Sequence, residues 1–250
     1  MFEPEMEKIA GLLDRTTRVA VLTGSGISAE SGIPTFRGEH GLWKQFRAEE
    51  LATPEAFERD PRLVWEWYDW RRGIIGRAEP NEGHRTIAAW QEIFPGFSLI
   101  TQNIDGLHQR AGSRGPIELH GNIWKMRCLK EGTVTECRDV PLPALPPRCP
   151  ACGAALRPHV VWFGEALDTR LLEEAFHRAA ACDLMFVVGT SALVHPAASL
   201  PLAAADAGAK IIEVNPDPTP LSGAADFVLR GKAGEVLPLL QQRILNKLRP

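Results

Sequence analysis

Short apolar runs recur along the chain, with longer amphipathic stretches between them. The runs are VAVL (19–22), FSLI (97–100), LMFVVG (184–189) and KIIEVN (210–215), with DFVL (226–229) a shorter one. Near-continuous apolar runs of this length match strands buried on both faces. The stretches 6–15, 84–93, 169–180 and 197–207 are helical in character and fall between the runs. Strands alternating with helices predict an α/β fold, a doubly wound parallel sheet of the Rossmann-like kind. Two segments break the alternation. Residues 39–81 crowd Trp43, Trp65, Trp67, Tyr68 and Trp70 among charged residues and predict a helical insertion. Residues 122–157 hold a cysteine cluster and VPLPALPP (140–147), which cannot be regular helix. The expected organisation is one nucleotide-binding domain (1–38, 82–121 and 158–250) carrying a helical insertion at 39–81 and a cysteine module at 122–157. The cleft between these parts is the natural ligand site.

Composition narrows the class without altering that picture. The 250 residues are 44% hydrophobic and 24% charged, ordinary for one globular domain with insertions. A formal net charge of −3 gives no electrostatic case for nucleic acid or an anionic membrane as partner. The acidic N-terminus lacks a continuous apolar h-region, so no signal peptide is predicted, and no apolar run is long enough to span a bilayer. Of the 5 cysteines, four cluster from Cys128 to Cys152, which points to a metal in a reducing compartment rather than a disulfide framework. A cytoplasmic monomer is expected.

The candidate chemistry begins where the first apolar run ends. Gly24-Ser25-Gly26-Ile27-Ser28-Ala29 fits the G-x-G-x-x-G/A fingerprint, whose glycines let backbone approach a pyrophosphate. A tight strand-to-helix turn would look the same. The acidic residue that a dehydrogenase places some 20 positions on is not convincingly present, which counts against that class. Asn215, followed by Pro216-Asp217, is a candidate to hold the adenosine ribose instead. Gln102, Asn103 and Asp105 in TQNIDGLH (101–108) follow the run FSLI, at the strand end where open α/β sheets bind ligands, a reading preferred to the alternative of an Asn-Ile-Asp turn that caps a helix. His120 in IELHGN, at the entry to the cysteine module, is the candidate general base.

Cys149-Pro-Ala-Cys152 followed by Gly153 is half of a zinc knuckle. The other half is irregular, Cys128-Leu-Lys-Glu131-Gly132-Thr133-Val-Thr-Glu-Cys137. A two-residue turn at Gly132-Thr133 would set Cys128 opposite Cys137, with Cβ atoms about 4.5–5.5 Å apart. That predicts a structural zinc held by Cys128, Cys137, Cys149 and Cys152, with Glu131 as the competitor for the Cys137 position. A metal-poor knuckle and a cross-strand disulfide are the alternatives.

Taken in order, these motifs resemble the sirtuins, NAD-dependent protein-lysine deacylases. The likeness continues through RPHVVWFGE (157–165), GTSALVHPAA (189–198), EVNPD (213–217) and GKAGEVLP (231–238). It implies that NAD is a co-substrate broken at its nicotinamide bond, and that the acyl group of an acylated-lysine protein is transferred to the ribose. By the same resemblance His120 is the base, and Asn103 and Asp105 orient the ribose, pyrophosphate or a water. NAD would lie against Gly24, Ser25, Gly26, Ile27, Ala29 and Glu30 of the first loop. Phe36, Arg37 and Trp43 would lie over it, on a loop kept mobile because Gly32, Pro34 and Gly38 stop the helix early. Gln102, Ile104, Gly189, Thr190, Ser191 and Ala233 complete the implied cofactor contacts. Val161, Phe163, Gly164 and Glu165 would pair with the substrate peptide by strand addition. Tyr68 and Arg71, three apart and so on one helical face, look like the Tyr-x-x-Arg pair of sirtuins that remove succinyl and malonyl groups. A mono-ADP-ribosyltransferase and a zinc-dependent binding adaptor are the rival functions.

Overall fold

The structure, a computed structural model, describes residues 3–35 and 47–249, so Phe36, Arg37 and Trp43 lie outside the described residues. Its main sheet has six parallel strands, numbered with all others in chain order: β1 (Val19–Thr23), β2 (Ser98–Thr101), β3 (Ile117–Glu118), β7 (Leu184–Val188), β8 (Lys210–Val214) and β9 (Phe227–Leu229). Every residue of β1 and β7 is buried, as their unbroken apolar character requires of strands covered on both sides. The order is β3-β2-β1-β7-β8-β9. The chain therefore winds outward from β1 in one direction, then restarts at β7 and winds outward in the other. That reversal is the topological switch point, where the carboxyl ends of adjacent strands splay their loops apart and leave a crevice. Thr23 pairs with Val188, so the two loops leave the sheet level with each other.

One face of the sheet packs on α1 (Glu3–Leu12), α6 (Glu82–Ile93) and α10 (Ala233–Leu248), through a core that includes Ile9, Trp90, Phe186 and Leu240. The other face packs on α8 (Thr169–Ala181), a 3₁₀ turn (Ala197–Ser199) and α9 (Leu200–Asp206). The edge strand β3 and helix α10 are among the elements that the sequence pattern does not mark. The edge strand β3 has only two residues, too few for a periodicity to show. Helix α10 carries Pro238 inside it, ordinarily a breaking signal. The helix survives because Ala233, Val236, Leu237, Leu240 and Ile244 fall on one buried face, and packing outweighs one lost hydrogen bond.

The two insertions share one core. Helices α4 (Pro54–Arg59) and α5 (Pro61–Arg77) pack against a three-stranded antiparallel sheet of β4 (Gly121–Cys128), β5 (Val134–Glu136) and β6 (Leu156–Val160). Trp65, Trp67 and Tyr68 of α5 meet Ile123, Trp124 and Met126 of β4 in this core. The Trp65 indole donates to the Leu156 carbonyl at 2.8 Å. Arg72 is fully buried, with its guanidinium donating to the carbonyls of Ile123, Cys137 and Asp139 at 3.0, 2.7 and 3.0 Å. So the helical insertion and the cysteine module make a single small lobe beside the Rossmann-like sheet. Among the described residues no helix is long and apolar enough to cross a membrane.

Candidate functional site

A cavity of about 1130 Å³ opens at the switch point and runs between the sheet and the small lobe. Its floor is two loops locked together. A Cβ on Gly24 would lie 2.7 Å from the Thr190 Cβ, and one on Gly26 would lie 2.7 Å from the Gly189 carbonyl oxygen. These glycines are thus required by the contact between the β1 and β7 loops themselves. The N–H groups of Gly24 and Gly26 donate to the Val188 and Gly189 carbonyls at 3.1 and 2.7 Å, which closes the floor to a pyrophosphate at those two amides. Gly24, Ser25, Gly26, Ala29 and Glu30 all line the cavity. Ile27 does not: its side chain is fully buried in the core under the sheet. The Glu30 carboxylate accepts from the Gly234 N–H at 3.0 Å, tying the short helix α2 (Gly26–Ala29) to the start of α10, with Ala233 at the cavity edge.

The β2 loop supplies the polar wall. Gln102, Asn103 and Ile104 line the cavity, whereas Asp105 lies behind them, 5% exposed. Asn103 Nδ2 donates to the Gly24 carbonyl at 3.0 Å and to Ser28 Oγ at 3.2 Å. Ser28 Oγ donates to Asp105 Oδ2 at 2.8 Å, and the Leu107 N–H donates to Asp105 Oδ1 at 2.8 Å. Burial pushes the Asp105 carboxyl upward, opposed by these two bonds and by the Arg71 charge. Ser28 is therefore the hub of the wall, and the motif reading passed over it as a variable position of the Gly-rich loop. Asn215 donates to the Thr190 carbonyl at 2.8 Å, which braces the loop bearing Gly189, Thr190 and Ser191; Pro216 and Asp217 follow along the cavity rim.

His120 faces this wall. Its Nδ1 lies 3.0 Å from the Gln102 carbonyl oxygen, which can only accept, so Nδ1 carries the proton and Nε2 keeps its lone pair. Burial lowers the His120 pKa, and the bond to Gln102 offsets that in part. The ring is neutral at neutral pH and suited to accept a proton.

On the small-lobe side, Tyr68 and Arg71 line the cavity from α5. Both are buried, at 2% and 5% exposed, so Arg71 is no solvated surface charge. Its guanidinium lies 4.9 Å from the Trp67 ring centroid and 5.8 Å from that of Tyr68. The Tyr68 oxygen accepts from the Trp162 indole at 3.0 Å, and burial pushes the phenol upward, so it stays protonated with its own O–H to donate. Trp162 is clamped in turn by Arg157, 3.5 Å over its ring and ion-paired with Glu165. In the segment Val161, Phe163, Gly164 and Glu165, the N–H groups of Val161, Phe163 and Glu165 already donate to His120, Ala52 and Trp162 carbonyls. Among the described residues the Gly164 N–H and the carbonyls of Val161 and Gly164 hold no backbone hydrogen bond.

The cysteine cluster lies outside this cavity. The sulfurs of Cys128, Cys149 and Cys152 lie within 4.8 Å of one another, with Cys128 and Cys152 at 3.5 Å. Three sulfurs at about 2.3 Å from a tetrahedral ion would be roughly 3.8 Å apart, so the donor set fits zinc. Cys137 does not join them. The hairpin turns at 129–132 rather than at Gly132-Thr133: the Cys128 N–H donates to the Thr133 carbonyl, and the Cys137 N–H donates to the Trp124 carbonyl. The longer turn shifts the register by four residues along β4 and carries the Cys137 thiol to Arg72, 3.7 Å from Nη2.

The model of the Sir2 family matches residues 24–196. The NAD-dependent protein deacylase of Aquifex aeolicus strain VF5 is 57% identical over 229 residues, covering 92% of this chain and 96% of that protein. The NAD-dependent protein deacylase of Aeropyrum pernix is 55% identical over 226 residues, covering 90% and 92%. Among solved structures, a Sir2 homolog–NAD complex superposes with a TM-score of 0.89 at 46% identity, covering 100% of this chain and 96% of that one. A Sir2 complex with a p53 peptide and NAD+ superposes at 0.84 with 33% identity, covering 95% and 97%. The chain belongs to the Sir2 family.

Proposed function

We propose that this protein is an NAD-dependent protein-lysine deacylase that removes acetyl groups and carboxylate-bearing acyl groups of the succinyl and malonyl type. The reading is carried by His120, a neutral imidazole with Nδ1 tied to Gln102 and Nε2 free as a base, beside a dinucleotide-sized cavity at the switch point. Bound NAD supplies the glycosidic bond to nicotinamide whose cleavage makes the ribose an acyl acceptor. His120 Nε2 takes a proton from a ribose hydroxyl during the transfer. Asn103 and Asp105 orient the ribose side of the site, with Ser28 holding both. Arg71 and the Tyr68 O–H meet a carboxylate at the end of the acyl chain, in a pocket too dry to leave such a group unpaired. The carbonyls of Val161 and Gly164 and the Gly164 N–H take the peptide as an added strand. A structural zinc on Cys128, Cys149 and Cys152 holds the small lobe that carries the acyl pocket.

Incubation with NAD and a panel of acyl-lysine peptides tests this, with products weighed by mass spectrometry. Free nicotinamide together with O-acyl-ADP-ribose is the expected outcome. ADP-ribosylated protein in place of the acyl ester would favour a transferase, and an absence of nicotinamide would remove the reading altogether.

A further inference from the structure

The zinc proposed above has three thiolates, and the backbone indicates where its fourth ligand comes from. Two turns in the small lobe are built alike, Cys128-Leu-Lys-Glu131-Gly132 and Cys149-Pro-Ala-Cys152-Gly153. In each, the fifth residue is a glycine in the left-handed region, at φ +69° for Gly132 and +72° for Gly153. In each, that glycine's N–H donates to the carbonyl of the leading cysteine, at 2.9 Å from Gly132 to Cys128 and 2.8 Å from Gly153 to Cys149. A turn of this spacing can bring its first and fourth side chains to one metal. In the second turn those residues are Cys149 and Cys152, both in the three-sulfur cluster. In the first they are Cys128 and Glu131, and the Glu131 N–H also donates to Cys128 Sγ at 3.4 Å.

We propose that Glu131 completes the zinc site as a carboxylate ligand, giving an S₃O centre in place of four thiolates. The inference rests on the zinc reading and deepens it. Cys137 is excluded by register, since the hairpin sets it opposite Trp124, four residues or about 13 Å along the strand from Cys128. Glu131 has the opposite circumstances. Its side chain is exposed, and among the described residues it holds no hydrogen bond or ion pair that ligation would have to break. Zinc accepts Asp or Glu oxygen at about 2.0–2.2 Å alongside sulfur, so a longer, jointed side chain reaching in from the turn is chemically suitable. The arrangement has a cost in affinity: a mobile carboxylate loses more rotamer freedom on binding than a cysteine does. The oxygen is then the arm that lets go first.

The test uses the full chain, reconstituted with zinc under reducing conditions, in four forms: wild type, Glu131→Gln, Glu131→Cys and Cys137→Ser. Release of zinc to a colorimetric chelator is timed for each. Glu131→Gln is expected to accelerate release by at least the ~10-fold that loss of even an outer partner of a ligand costs. Glu131→Cys is expected to slow it, and its cobalt(II) derivative to gain sulfur-to-metal charge-transfer intensity over wild type, in a ratio near four to three. Cys137→Ser is expected to match wild type. Equal release from wild type and Glu131→Gln would overturn the proposal, as would acceleration by Cys137→Ser. A wild-type protein that takes up no zinc would instead remove the zinc reading beneath it, a result the metal content alone reports.

Discussion

At the level of single residues, the site depends on which hydrogen each polar group is forced to show. The Gln102 carbonyl fixes the proton of His120 on Nδ1, so Nε2 is a base, and burial keeps the ring unprotonated. A group whose pKa is lowered loses its free lone pair only as pH falls through that lowered value. The acidic limb of the deacylation profile is therefore expected below 6.5, the ordinary histidine value. His120→Asn is expected to lower kcat by roughly 10²–10⁴ and to abolish that limb. Measured kcat/KM against pH checks both, and a limb at or above 6.5 would disprove the buried-base assignment. Arg71 poses a different question: its guanidinium lies against the ring faces of Trp67 and Tyr68, and its charge also acts on the buried Asp105 carboxyl. Replacing it by Met removes a charge-assisted partner of an acyl carboxylate, worth about 1.5–3 kcal/mol. Desuccinylation is expected to drop roughly 10- to 150-fold in kcat/KM, with deacetylation little changed. Equal losses on the two peptides would show that Arg71 does not read the acyl carboxylate.

Between elements, the adjacent Arg72 shows how the small lobe is held. Where Arg71 faces the cavity, Arg72 points the other way, between α5 and β4, and carries three carbonyl acceptors, all from the cysteine module. Arg72→Met leaves those carbonyls buried without donors, at about 1–3 kcal/mol for each that water cannot reach. A fall of several degrees in the Tm of the Arg72→Met variant is expected, with a much smaller fall for Arg71→Met; comparable Tm values would refute the division of labour. The pair also marks the limit of what the sequence revealed. Apolar runs located β1, β2, β7, β8 and β9, because burial on both faces leaves an unambiguous local pattern. That α5 and the cysteine module share a core, and that Arg72 rather than a hydrophobic residue joins them, depends on contacts 51 to 67 residues apart in the chain. The hairpin register has a local signal that fits two turns. Gly132-Thr133 suggested a two-residue turn, but the glycine at φ +69° closes the longer Cys128–Gly132 turn instead. Ser28 had no local signal, since its role comes from Asn103 and Asp105 arriving over it from β2.

Across the whole molecule, the buried polar network behind the cavity connects its polar wall to the stability of the fold. Ser28 Oγ reaches His84 Nε2 at 3.4 Å, and the His84 ring lies 4.9 Å from that of His108, whose Nε2 meets Thr23 Oγ1 at 2.9 Å on the central strand. In both rings Nδ1 is buried, and among the described residues it has no partner. A second proton on either ring would thus be a buried charge without an acceptor, beside another ring that resists it. Burial accordingly lowers the His84 pKa to about 4, with the Arg85 charge adding to the effect, and burial takes His108 well below the ordinary value. The sign follows from proton counting: between about 4 and 6.5 the unfolded chain binds protons that the folded chain refuses. Stability is fully present above 6.5 and falls as pH drops through that window, by on the order of 3 kcal/mol for His84. His159 and His120 add to the fall, while Asp105, whose carboxyl is raised by burial, partly opposes it. The carboxylates held low by hydrogen bonds, Asp14 and Asp183 among them, lose their contribution only at lower pH, below their usual 3.8. Urea unfolding measured at pH 7 and pH 4.5 should therefore show a large loss in wild type and a clearly smaller one in His84→Gln, which cannot take up the proton. Parallel losses in the two proteins would mean that the buried pair is not what makes the fold acid-sensitive.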